Sequence, residues 1–205
     1  MVSRSKSSQA WLKRHVNDPY VHRAQALGYR SRSAFKLLEI DAGDRLFARG
    51  QVVVDLGAAP GGWSQVAAEK VGPGGRVIAL DMLEMAPLAG VTVVRGDFAT
   101  DEGLAALDGA LAGAPIDIVL SDMAPNLSGI AATDQARSLA LCELAVAFAL
   151  ERLKPGGTLL MKAFQGAGFP QLLARVRREF SHVVSRKPDA SRSRSSEMYL
   201  RARRR

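Results

Sequence analysis

The sequence predicts a doubly wound α/β fold, a mostly parallel sheet with helices on both faces. Three observations predict it. Short runs rich in Val, Ile and Leu, at 52–57, 116–122 and 158–162, read as strands buried on both sides. These runs alternate with longer stretches of helical apolar spacing, the pattern of βαβ units. A glycine-rich turn follows the first run directly. Open parallel sheets bind ligands beyond the carboxyl ends of their strands. Asp122 and Lys162, which end two of the runs, are therefore expected in one crevice beside that turn.

Residues 1–9 are rich in Ser, Lys and Arg with no apolar period, and predict a flexible arm. Ser33 is placed to cap a short helix over 34–40 that turns Phe35 and Leu38 inward. Strands are expected at 52–56, 76–80, 91–95, 116–121, 157–162, 181–187 and 197–202. Helices are expected at 63–70, 101–111, 134–153 and 169–179. Only a polar loop around Lys187-Pro188-Asp189 separates the last two strands, so they are expected as an antiparallel hairpin at one edge of a seven-stranded sheet. No repeat or long linker divides the chain. The reading is one globular domain over 31–205, preceded by a basic extension over 1–30.

A chain of 205 residues can bury a substantial core. Its longest apolar stretch, 139–150, contains Glu143 and is too short to cross a bilayer, so no membrane association is expected. No charged-then-apolar leader is visible at the start. The single cysteine, Cys142, excludes an internal disulfide and a zinc cluster, and it reads as a buried, inert thiol in a helix. A cytoplasmic protein is expected. Charge is segregated: residues 1–36 carry eight Lys or Arg against one acid, residues 175–205 eleven against three, and the middle nine against sixteen. Two basic ends around an acidic body point to a polyanionic partner. Lys13, Arg14, Arg23, Arg30 and Arg32, interleaved with Trp11, Tyr20 and Tyr29, read as a face that grips RNA by charge and stacking.

The turn Asp55-Leu56-Gly57-Ala58-Ala59-Pro60-Gly61-Gly62 lets backbone approach a ligand closely. A dinucleotide fingerprint needs glycine where Ala59 stands, and Pro60 removes a backbone donor that phosphates would use. A ligand without phosphates suits the turn better, and S-adenosylmethionine is such a ligand. Asp81 ends the second strand, where a carboxylate accepts from ribose hydroxyls, and Asp97 follows the third, within reach of an adenine amino group. Asp55, Asp81 and Asp97 at successive strand ends therefore support an adenosine-bearing cofactor.

Asp122-Met123-Ala124-Pro125 closes the fourth strand. No aromatic residue follows Pro125 to stack a flipped base, and no cysteine there could attack a pyrimidine ring. A hydroxyl acceptor remains, which needs a base. Lys162 can serve if its neutral form is accessible, whereas arginine could not. His15, His22 and His182 are scattered, and no metal-binding cluster is visible.

Four segments carry a family resemblance: 29–37 (Tyr29-Arg30-Ser31-Arg32-Ser33-Ala34-Phe35-Lys36-Leu37), 55–65, 121–129 and 195–199 (Ser195-Ser196-Glu197-Met198-Tyr199). The chain resembles the FtsJ/RrmJ-type ribosomal RNA 2′-O-methyltransferases from Trp11 to Arg201, with Leu127 where Met is commoner. The resemblance implies a Rossmann-like S-adenosylmethionine-dependent fold and methylation of a uridine ribose in large-subunit RNA, on the assembled subunit. It implies a catalytic tetrad of Lys36, Asp122, Lys162 and Glu197, and cofactor contacts from Gly61, Trp63, Asp81, Asp97 and Asp122, beside Asp55, Gly57 and Pro60 of the turn. In such a tetrad Lys36 places a second positive charge near Lys162, while Asp122 and Glu197 hold the two ammonium groups. Ribosomal RNA is the expected partner, through the basic N-terminal segment and the C-terminal arginines, with the protein a monomer. Two further readings stand beside this one, a messenger-cap ribose methyltransferase and a non-catalytic ribosome-assembly factor. The short chain leaves little room for a cap pocket, and a complete tetrad argues against a pure binder.

Overall fold

The computed structural model describes residues 18–126, 128–192 and 195–205. The expected arm over 1–9, Trp11, Lys13, Arg14, His15 and Leu127 lie outside the described residues. Seven strands form one sheet in the order β3-β2-β1-β4-β5-β7-β6. They are β1 (Val52–Leu56), β2 (Arg76–Asp81), β3 (Val91–Arg95), β4 (Ile116–Ser121), β5 (Leu153–Phe164), β6 (Phe180–Arg186) and β7 (Glu197–Arg204). The first five run parallel; β7 lies antiparallel between β5 and the edge strand β6. The edge hairpin is where the sequence predicts it.

Among the described residues there are six helices: α1 (Pro19–Ala26), α2 (Ser33–Asp44), α3 (Gly62–Val71), α4 (Asp101–Leu111), α5 (Ala131–Arg152) and α6 (Phe169–Glu179). Side chains alternate across a strand, so each strand feeds two cores. Val53, Leu120, Leu160 and Tyr199 meet Leu37, Ile40 and Val66 of α2 and α3. Val54, Leu56, Leu159 and Met161 meet Leu107, Val146 and Val176 of α4, α5 and α6. By the same alternation, Lys162 continues the face of Leu160 and lies on the α2 side. Cys142 of α5 donates to the carbonyl of Lys162 at 3.2 Å, and burial pushes its thiol up to about 11.

Helix α2 runs past residue 40 and ends where Arg45 turns left-handed. Strand β5 begins at Leu153, which pairs with Ile116, and so includes Gly156 and Gly157.

Helix α1 was not expected. Its signal lies in Asp18-Pro19: the Asp18 carboxylate accepts from the Tyr20 amide at 3.0 Å, and proline fills the first turn. Val21 and Ala24 are buried, Ala24 beside Phe35 and Ala190, so residues 18–30 pack on the body. Two arginines of the expected RNA-gripping face also tie parts of the body together. Arg30 donates to the carbonyls of Pro60 (3.3 Å), Ala86 (2.7 Å) and Pro87 (2.6 Å), tying the glycine turn to the loop after β2. Arg32 binds the Asp18 carboxylate and the Ala190 carbonyl. A guanidinium supplies five donors in a fixed fork, so one side chain can bond several carbonyls at once.

The C-terminal arginines are likewise remote from the strand-end crevice. Glu197 pairs with Phe164 at the end of β5, but Arg203 pairs with Thr158 at its middle. Six residues of strand separate them, roughly 20 Å.

Gly103, in the first turn of α4, shows how tightly the third strand end is packed. A Cβ there would stand 2.0 Å from the Asp97 carbonyl oxygen. Helix propensity alone favours alanine over glycine by about 1 kcal/mol. Overpacking against backbone outweighs that, so Gly103→Ala is expected to destabilise the fold by about 2 kcal/mol. Thermal melting checks this; a variant melting at or above the wild type contradicts the packing described.

Candidate active site

Four ionisable side chains from four elements converge beyond the ends of β4 and β5. Asp122 follows β4, and Ser121 pairs with Met161, which places Asp122 level with Lys162. The Lys162 Nζ stands 3.0 Å from Asp122 Oδ1 and donates to the Asp122 carbonyl at 2.6 Å. Lys36, one turn into α2, donates to Glu197 Oε1 at 2.6 Å. Glu197 opens β7 opposite Phe164, two residues beyond Lys162 and on the same face.

Tyr199 joins the two ion pairs, and the sequence reading gave it no role. It pairs with Lys162 across the strands, accepts from Lys36 Nζ at 3.2 Å and donates to Asp122 Oδ1 at 3.0 Å. Burial and the Asp122 and Glu197 carboxylates hold its phenol far above the ordinary range, so it stays a donor. Its period-two relation to Glu197 was a usable signal, because both side chains must share a face. For Glu197, burial raises the carboxyl, but the ammoniums of Lys36 and Lys162 and the Ser191 hydroxyl at 3.0 Å outweigh it and hold the group below its usual value.

Beside these groups opens a cavity of about 620 Å³, lined by Gly57, Asp81, Asp97 and Asp122 and by the apolar faces of Leu83, Phe98 and Leu141. Asp81 accepts from the amides of Ala59 (2.9 Å) and Leu83 (2.8 Å), and Asp97 from that of Ala99 (2.9 Å). Backbone donors thus fix both carboxylates and leave lone pairs for a ligand. Gly57, at φ 72°, passes so close to Met123 that a Cβ would meet its Cγ at 2.5 Å. A hydroxyl-rich, partly apolar, cationic ligand fits this donor set.

Of the turn, Gly57 and Ala59 line the cavity, while Asp55, Pro60 and Gly61 do not. Gly61 donates to the Ala58 carbonyl at 2.6 Å, and Pro60 accepts from Arg30. The Trp63 indole is buried, donates to the Ser33 carbonyl at 2.9 Å and lies 5.5 Å from the Tyr199 ring. Asp55 lies behind the turn, fully buried, accepting from the Ser64 hydroxyl at 2.6 Å with Oδ1 unpartnered. Burial, opposed by the Ser64 bond and reinforced by Asp122 and Asp81, pushes its carboxyl up to about 7.

A Rossmann-like sheet with an antiparallel β7, a glycine turn, acids at successive strand ends and a Lys-Asp pair defines an S-adenosylmethionine-type methyltransferase. The chain belongs to the FtsJ-like methyltransferase family, whose model matches residues 29–205. It is 58% identical over 199 residues, 97% of each chain, to ribosomal RNA large subunit methyltransferase E of Azoarcus sp. (strain BH72). It is 56% identical to the protein of that name from Neisseria meningitidis (strain FAM18), covering 98% of this chain and 97% of that one. A solved Plasmodium falciparum structure, titled as a ribosomal RNA methyltransferase, superimposes with a TM-score of 0.76 at 28% identity, over 86% of this chain and 98% of that one.

The Asp55 carboxyl makes a pH prediction. Between its ordinary 3.8 and about 7 the folded state holds a proton that the unfolded state has released, so stability declines as pH rises through that window. The decline is up to about 4 kcal/mol from this group. Asp55→Asn is expected to flatten it, as urea unfolding at several pH values would reveal. An unchanged slope in the variant contradicts the assignment.

Proposed function

We propose that the protein methylates the 2′ oxygen of a uridine ribose in large-subunit ribosomal RNA, acting on the assembled subunit as a cytoplasmic monomer. The reaction is an RNA methyl transfer with S-adenosylmethionine as donor. The observation that carries the ribose assignment is the Lys162–Asp122 pair joined through Tyr199 to Lys36–Glu197.

When bound, S-adenosylmethionine supplies a methyl group on a positively charged sulfur that leaves as a neutral thioether. Asp81 and Asp97 would hold its adenosine part, and Gly57 and Asp122 border the reacting end. Lys162 handles the proton. In the deprotonated form that turnover requires, the amine has two N–H donors and one lone pair. Asp122 Oδ1 and the Asp122 carbonyl take both donors, which leaves the lone pair for the acceptor hydroxyl. As the new O–C bond forms, the 2′ proton moves to Nζ, and Asp122 stabilises the ammonium that results. Lys36 and Glu197 neutralise one another and, through Tyr199, fix the carboxylate that fixes Lys162. Placement and local charge thus supply most of the catalysis.

RNA contact is assigned to the basic segment over 1–30 as an extension of the 31–205 methyltransferase domain. Arg23, exposed above the Phe35 ring, supports this reading. Arg30 and Arg32 are committed to backbone and to Asp18, and the C-terminal arginines can touch only RNA that passes the far end of the sheet.

Lys162→Ala is expected to lower methyl transfer to large subunits at least about 100-fold while donor affinity stays within a factor of a few. Single-turnover kinetics with calorimetry for the donor separates the two. Full turnover in the variant would exclude Lys162 as base. Nucleotide mapping of the methylated RNA tests the 2′-O-uridine assignment directly.

A further inference from the structure

Among the described residues, Arg137 is the one cationic side chain that lines the cavity, where every other charged liner is a carboxylate. Cations elsewhere around the site are committed: Lys36 to Glu197, Lys162 to Asp122, Arg30 and Arg32 to backbone carbonyls. Arg137 has no salt bridge to a described carboxylate. Its one hydrogen bond is a long one, 3.5 Å to the Asn126 carbonyl, and its side chain is exposed.

Its placement is nevertheless fixed. Two residues earlier, Gln135 donates to the carbonyls of Phe164 and Ala167, each at 3.2 Å, and so pins the start of α5 across the end of β5. Phe164 is two residues beyond Lys162. A two-residue step on a helix turns roughly 200°, so Gln135 faces β5 while Arg137 faces the segment after Asp122. Met123, Pro125 and Asn126 of that segment line the cavity with it. Asp134 bonds the Ser128 and Gly129 amides and braces the same loop from one residue over. The guanidinium therefore stands at the lip of the cavity on the side of the reacting groups.

We propose that Arg137 binds a phosphate of the acceptor RNA strand adjacent to the ribose that is methylated. The inference rests on the ribose-methylation reading above. A ribose within an RNA chain carries phosphate on both flanks, so a 2′ oxygen delivered to Lys162 brings one into this neighbourhood. A guanidinium keeps its charge and presents a planar fork that matches phosphate oxygens. The rim it stands on otherwise repels a polyanion, since Asp81, Asp97 and Asp122 surround the same opening.

The test is Arg137→Ala, assayed on large subunits carrying unmodified RNA, with donor affinity measured separately by calorimetry. The expected result is a KM for subunits raised about ten-fold, a salt-dependence slope shallower by about one, and unchanged donor affinity. Arg137→Lys, which keeps a point charge, is expected to retain the slope while recovering only part of the KM. Unchanged KM and slope in the alanine variant would overturn the proposal. So would weakened donor affinity, because the guanidinium would then serve the donor's own carboxylate. Both failures leave wild-type methylation intact, whereas failure of the ribose reading appears as a different methylated atom in the wild-type product.

Discussion

Antiparallel pairing of β7 against β5 is the constraint on which the site depends. That register sets Tyr199 opposite Lys162 and Glu197 opposite Phe164, so three side chains of the network share one face. A slip of one residue would send Glu197 and Tyr199 into the opposite core. A parallel strand could not do the same work: it would run the other way and bring its far end to Lys162. The edge hairpin, which breaks the regularity of a doubly wound sheet, is thus what completes the catalytic group.

Burial explains why the four charges come as two pairs and not as scattered groups. The side chains of Lys36, Glu197 and Lys162 are only 12%, 11% and 8% exposed. Removing one partner of a buried pair strands the other charge, at a cost of about 3–5 kcal/mol. Tyr199 is neutral and can bond both pairs without adding charge, which a third carboxylate or amine could not. Its ring is held by Trp63, and Trp63 by the Ser33 carbonyl at the start of α2. Position therefore passes from α2 to the hydroxyl through rigid aromatic contacts, and the helix that carries Lys36 is the same one that anchors the bridge.

Much of this was legible in the chain. Strand-end logic alone put Asp122 and Lys162 together, because apolar runs announce buried parallel strands and parallel strands bring their ends to one edge. Lys36 and Glu197 were reachable only through the family resemblance: one lies on a helix and the other on an antiparallel strand, and no local period links them. Tyr199 escaped because a tyrosine in a strand reads as core. Within the basic segment, charge alone does not say which arginines are free. Composition counts charge but not its commitments, and Arg30 and Arg32 bond backbone carbonyls and Asp18. The helix at Pro19–Ala26 was written in its Asp-Pro cap yet hidden by the basic composition around it.

Opposite charge demands meet at this crevice. A cationic donor favours carboxylates at the strand ends, and Asp81, Asp97 and Asp122 supply them. Those same groups repel the phosphates of the acceptor, and the nearest cations cannot compensate because the ion-pair network neutralises them. The conflict is resolved in space. Negative charge is kept at the second, third and fourth strand ends, while uncommitted positive charge is left to side chains beside them and beyond. A purely basic site would hold RNA and lose the donor; a purely acidic one would do the reverse. Segregation of charge along the sequence, basic ends around an acidic middle, is the one-dimensional trace of that division. It fails as a map only where arginines serve the fold instead of the ligand.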